Sequence, residues 1–281
     1  MAFPPAASGH GFGSGASTNP LLLEALVLAF LGYVWLASRV DRHHPLNPWP
    51  ARRTASFTVG LAIIGLALLS PIDVYADDLL SVHMLQHLLL AMVAPPFLVA
   101  SSPMTLLLRA SSASFRQRRL LPLLHHPVVR ILFHPIVTWV VFVVAMWTIH
   151  FSPLFDAALR DPLLHDAEHV AFLTSGLLFS LPLFGSDPLP HRLGPGGRIV
   201  YLLAAMPPMS LLGMVLATAP TLLYPSYLPR LAVLGIAPQA DQSFGGAVMW
   251  LGSDAAMLVM AALVVAAGEG SRGLRSWNRT G

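Results

Sequence analysis

The sequence has no cysteine and no lysine, and only 10% of its 281 residues are charged. Without cysteine there is no disulfide, no thiolate metal site and no cysteine nucleophile. Any metal site must therefore be built from His, Met, Asp, Glu or backbone oxygen. Without lysine, all sixteen basic residues are arginine. A soluble domain carries about 25% charged residues, so a chain that is 55% hydrophobic with mean hydropathy +0.68 reads as an integral membrane protein. Its basic pI describes arginines flanking membrane segments; membrane lipids are the expected surroundings and nucleic acid is not an expected partner. Residues 1–19 are rich in Gly, Ser, Ala and Pro and lack the positive region of a signal peptide. They read as a flexible extracytoplasmic tail in which His10 is solvated.

A membrane helix needs roughly 20 mostly apolar residues. Seven segments qualify, at about 20–38, 54–72, 81–101, 134–151, 163–184, 199–219 and 245–267. The expected fold is all-α, with a seven-helix membrane domain over 20–267 and a cytoplasmic tail over 268–281. The loops set the orientation. Arg39, Arg42, Arg52, Arg53, Arg109, Arg116, Arg118, Arg119, Arg130, Arg192, Arg198, Arg272, Arg275 and Arg279 fall on one side, leaving Arg160 and Arg230 on the other. The positive-inside rule makes the arginine-rich side cytoplasmic, with the N-terminus outside and the C-terminus inside. His43, His44, His125, His126, His134 and His191 lie among those arginines and read as headgroup contacts or helix-end caps. Pro207-Pro208 is expected to kink the sixth segment; of its methionines, Met214 lies in the outer half and is a candidate soft ligand.

The opposite face carries Asp73, Asp77, Asp78, Asp156, Asp161 and Asp241, and with them the unusual residues. The third segment opens with His83 and His87, the fifth with His165, Asp166, Glu168 and His169, and the fourth ends at His150. The last brings Asp241 and Gln242 at its mouth and Met249 about two turns in. Imidazoles four residues apart share one side of a helix. Lipid satisfies none of these groups, and intramembrane ionisable residues are functional-site candidates. Imidazole suits copper, zinc, iron and nickel, thioether favours cuprous copper, and nearby carboxylates orient the rings. Three chemistries stay open on spacing alone. One is a copper-type metal site. Another is a zinc hydrolase, since His165-Asp-Ala-Glu168-His169 fits H-x-x-E-H with Glu168 as base. The third is haem held by axial histidines.

Three blocks, HMLQHLLLAMVAPPFLVASSP, IHFSPLFDAALRDPLLHDAEHVAFLTSGLLF and DQSFGGAVMWLGSD, resemble the CtaG family of cytochrome c oxidase assembly factors in its polytopic, seven-helix branch. The resemblance implies a multi-pass protein of the bacterial cytoplasmic membrane that is not an enzyme and supports maturation of haem–copper oxidase, by binding and delivering copper. It implies cytochrome c oxidase subunits as partners, with extracytoplasmic copper chaperones as further ones. The family's histidines correspond to His83, His87, His150, His165 and His169, with Asp241, Gln242 and Met249 in the last block. The expected metal ligands are those five histidines and Met249. Asp166, Glu168, Asp241 and Gln242 are expected to orient them. Copper is the expected ion, with zinc as the alternative.

Overall fold

The computed structural model describes residues 19–188 and 190–280, with side chains described as far as residue 267. The N-terminal tail with His10, and the side chains of Arg272, Arg275 and Arg279, lie outside the described residues. Among the described residues the chain is helical, without strands. Among the described residues, six helices are long and apolar enough to cross a membrane. They are α1 (Pro20–His43), α2 (Ala51–Leu68), α3 (Leu80–Ala110), α5 (Pro162–Phe184), α6 (Pro195–Thr218) and α7 (Pro238–Thr280), the last apolar over Pro238–Ala267. Between α3 and α5 lies α4 (Pro135–His150), apolar but only 16 residues long. Where the sequence predicts seven crossings of similar length, the fourth is thus a shorter helix. Pro135 sets its start, and Phe151-Ser152-Pro153 ends it before the short helix Pro153–Ala158.

The helix starts follow local chemistry. Pro occupies the first turn of α1, α4, α5 and α6, where its missing N–H costs nothing. Asn19 and Asp161 cap α1 and α5 by accepting from Leu22 N and Leu163 N. His126 and His134 cap the helices that follow them, Nδ1 accepting from Val128 N and Ile136 N, which matches the capping reading of these arginine-side histidines. Despite Pro207 and Pro208, α6 is assigned as one helix throughout.

The bundle is built around α3, whose most apolar window is 67% buried against 11% for α1. It packs against α2, α5 and α7, while α7 packs along α6 and α4 along α5. Pro95 and Pro96 interrupt the α3 hydrogen-bond ladder, and one π-helical turn, Leu89–Val93, precedes them. Close approach is bought with small residues. A Cβ on Gly176 of α5 would meet the Ala91 carbonyl oxygen at 2.1 Å, and one on Gly246 of α7 would meet Ala217 N at 2.2 Å. Backbones of this kind approach without side chains between them. The consequence for function is placement. The start of α3, the end of α4 and the start of α5 meet at one end of the bundle, the end that carries the histidines.

Candidate metal centre

On α3, His83, Gln86 and His87 face inward; on α5, His165, Glu168, His169 and Phe172 follow the i, i+3, i+4, i+7 stripe of a helix face. The structure brings all five histidines together. Ring centroids lie 4.2 Å apart for His83–His87, 5.2 Å for His83–His165, 4.3 Å for His165–His169, 5.6 Å for His87–His150 and 6.3 Å for His87–His169. His83 and His87 are fully buried, and His150, Glu168 and His169 are at most 7% exposed. His165 is half-buried at the edge. The Phe172 ring lies tilted against His87 with centroids 4.1 Å apart, and Phe155 lies 5.1 Å from His83.

Buried polar groups are ordinarily hydrogen-bonded. Here His83 Nε2, His87 Nδ1 and Nε2, His150 Nε2, His165 Nε2 and both carboxylate oxygens of Glu168 have no partner. The His87 ring approaches Glu168, Nε2 to Oε1 at 3.7 Å. Two trios, His83/His165/His169 and His83/His87/Glu168, place one ligand atom from each residue within 4.8 Å of the others.

The remaining ring nitrogens are held in ways that assign their tautomers, by requiring each proton to have an acceptor. His150 Nδ1 donates to Met146 O at 2.7 Å, because a carbonyl can only accept, so the lone pair is on Nε2. Tyr227 donates to Ala76 O at 3.2 Å and accepts from His83 Nδ1 at 2.8 Å, again leaving Nε2 free. Gln86 donates to Ala67 O and Asp73 Oδ1 and accepts at Oε1 from His169 Nε2, 3.2 Å away, leaving His169 Nδ1 free. Ligating histidines are characteristically oriented through their other nitrogen in this way. Burial, with Glu168 adding to it, pushes the Tyr227 hydroxyl well above its ordinary pKa, so it stays protonated.

The other residues expected to assist sit differently. Asp166 is exposed on the outer side of α5, one residue and therefore about 100° away from the inward stripe. Asp241 accepts from Leu80 N at 2.8 Å and from Ser81 Oγ at 2.5 Å, capping α3 from another helix. Gln242 bonds the backbone of Leu223 and Thr221. Met249 is buried between Gly245, which abuts Ser81 and Met84, and Gly252, which abuts Leu88. That face of α3 is turned roughly 110° from the His83–His87 edge, so Met249 belongs to the α3–α7 packing. Met214 is 38% exposed and faces away.

Tyr227, Tyr224 and Phe155 are site residues that the spacing patterns did not single out, while Gln86 and Asp73 join the site through a hydrogen bond to each other. Tyr224 and Tyr227 come from the connection over 219–237, which is lashed across the histidine end. Tyr224 donates to His150 O at 2.7 Å, Ser226 donates to Asp156 Oδ1 at 2.5 Å, and Arg160 pairs with Asp156 and Arg230 with Asp78. Asp77 lies beside His165 and Arg230; burial raises its pKa while those two neighbours pull it back.

Comparison with known proteins places this arrangement. Residues 31–267 match the family model described as cytochrome c oxidase caa3 assembly factor. An uncharacterized protein of Mycobacterium leprae (strain TN) is 32% identical over 253 residues, 86% of this chain and 37% of its own length. Uncharacterized proteins of Mycobacterium bovis and Mycobacterium tuberculosis are each 33% identical over 243 residues, 83% of this chain and 36% of theirs. The chain thus spans little more than a third of these relatives. No solved structure matches. The chain belongs to the family of cytochrome c oxidase caa3 assembly factors.

Proposed function

We propose that this protein binds a copper ion in the histidine cluster and delivers it to cytochrome c oxidase during assembly, working from the extracytoplasmic face of the bacterial cytoplasmic membrane. The observation that carries the reading is the convergence of unpartnered imidazole nitrogens and a carboxylate in a buried, lipid-facing bundle. Left without a ligand, these groups would each cost about 1–3 kcal/mol of unmet desolvation; a cation satisfies them together. The donor set is nitrogen and oxygen, because Met249 packs elsewhere, and such a set suits cupric copper or zinc better than cuprous copper.

Orientation supports the same reading. Arginines crowd the end opposite the histidines, which by the positive-inside rule is cytoplasmic. α3 runs from the histidine end and α5 starts again at it, so the chain must return through the bundle, and α4 makes that crossing. At 1.5 Å per residue its 16 residues span about 24 Å. That gives seven crossings with the N-terminus outside. The oxidase subunit that receives the ion, and any chaperone that supplies it, would meet the protein at this face.

A zinc hydrolase using Glu168 fits less well: the carboxylate groups with His87 and His83 under aromatic rings, where a hydrolase needs an open position for water and substrate. Haem fits less well again, since the imidazoles contact one another and Phe172 without a slot for a porphyrin. The test is His87→Ala beside Glu168→Gln in detergent-purified protein. Both are expected to lower bound copper and to lower oxidase copper content in cells. Unchanged copper with lost hydrolytic activity in Glu168→Gln would favour the enzyme instead.

A further inference from the structure

The two trios share one residue, and that residue has one free nitrogen. His83 Nδ1 is engaged by the Tyr227 hydroxyl at 2.8 Å, which leaves Nε2 as the only His83 atom able to bind an ion. One nitrogen lone pair makes one coordinate bond, so an ion held by His83, His165 and His169 denies His83 to the trio of His83, His87 and Glu168. We propose that the cluster holds a single divalent ion in two alternative positions that pivot on His83: an outer one made by His83, His165 and His169, and an inner one made by His83, His87 and Glu168. This rests on the metal-binding reading above and adds how the site works.

The positions differ in access and in charge. The outer trio includes the half-buried His165, beside which stands Asp77. It offers three imidazole nitrogens as ligands, with His169 and His83 oriented by Gln86 and Tyr227. The inner trio is buried throughout and includes the Glu168 carboxylate, whose oxygens have no other partner. In a medium of low dielectric a cation gains more beside an anion than among neutral rings, so the inner position is where the ion rests and the outer one is where it is loaded. Closing on the ion brings donor atoms to about 3.3 Å from one another, as metal–nitrogen bonds of about 2.0–2.1 Å in a tetrahedron require. The donors of each trio already lie within 4.8 Å, so side-chain rotation suffices. From the inner position the next free donor is His150 Nε2, on a ring 5.6 Å from His87. His150 also lines a cavity of about 570 Å³ with Ser152, Asp156, Arg160 and Tyr224. On this proposal the ion enters on the side of His165 and leaves on the side of His150, with rotation of these two buried-nitrogen rings opening each route.

The test uses the full chain in detergent, titrated with Zn²⁺ and with Cu²⁺ against a competing chelator, with ions counted by elemental analysis and ligands read by X-ray absorption. Wild type is expected to saturate at one ion per chain with mixed nitrogen and carboxylate ligation. Glu168→Gln should still bind one ion, about tenfold or more weaker, with nitrogen ligands only. His165→Ala should keep the wild-type spectrum and an affinity within about threefold, but load more slowly. His83→Gln should lose affinity by about a hundredfold or more, with circular dichroism melting reporting whether it is folded; wild-type stoichiometry and the other two variants decide the matter if it is not. Two ions per wild-type chain would overturn the pivot. So would equal weakening by Glu168→Gln and His165→Ala with the same residual spectrum, since that is one fixed site. A folded wild-type protein that binds neither ion would instead overturn the proposed function, and this inference with it.

Discussion

Which nitrogen of each ring is free decides how a histidine cluster can bind an ion, and here that is set one residue further out. Tyr227 fixes His83, the Met146 carbonyl fixes His150, and Gln86 fixes His169. Outer partners of metal-binding histidines are typically worth 10–100-fold in affinity. Tyr227→Phe is therefore expected to weaken Zn²⁺ or Cu²⁺ binding by about that factor in a chelator competition. Tyr224→Phe, which loses only a bond to the His150 carbonyl, should have a smaller effect, and equal losses would reduce Tyr227 to a packing role. The histidines themselves were legible in the sequence, because two H-x₃-H pairs at the mouths of apolar helices stand out against their surroundings. Their partners were not. Tyr227 lies in a connection without periodicity, and nothing local marks a hydroxyl that reaches His83 across 144 positions. Met249 and Asp241 show the converse: residues at the right depth whose azimuth, fixed only by how α7 docks on α3, points them elsewhere.

At the scale of elements, the site depends on where α3 begins. The helix has no cap of its own at Leu79, and its first N–H groups are satisfied by Asp241 of α7. Charge-assisted hydrogen bonds to otherwise orphaned helix-start donors contribute about 1.5–3 kcal/mol. Asp241→Ala should lower thermal stability by about that amount in detergent and loosen metal binding as a consequence, because His83 sits in the first turn of α3. Asp166→Ala, on the exposed side of α5, should change neither. The helices were largely visible as apolar runs, since hydropathy reports burial in lipid directly. The interruptions were less so. The π-helical turn before Pro95-Pro96 and the break at Ser101-Ser102, where Ser102 takes a left-handed backbone and Pro103–Ala110 turns to pack on α1, carry no periodic signal. The Pro207-Pro208 pair was expected to kink α6, and the helix continues through it without a break.

For the whole molecule, the proposed function requires the histidine end to face the compartment from which the ion would arrive. The arginine distribution predicts that this end is extracytoplasmic, and the cysteine-free sequence makes the prediction direct to check. Single cysteines placed at Ala237, on the histidine end, and at Leu46, on the arginine end, are both exposed positions. In intact cells a membrane-impermeant maleimide should label Ala237→Cys and leave Leu46→Cys untouched until the membrane is opened; the reverse pattern would invert the topology.

The proposed copper site is tested most directly by what the purified protein holds. Elemental analysis of the full chain, read beside its absorption spectrum, should find close to one copper per chain after exposure to Cu²⁺, with no haem absorption. A folded protein that takes up no copper and no zinc would contradict the account, and would leave the buried nitrogens and the Glu168 carboxylate as groups whose purpose is packing alone.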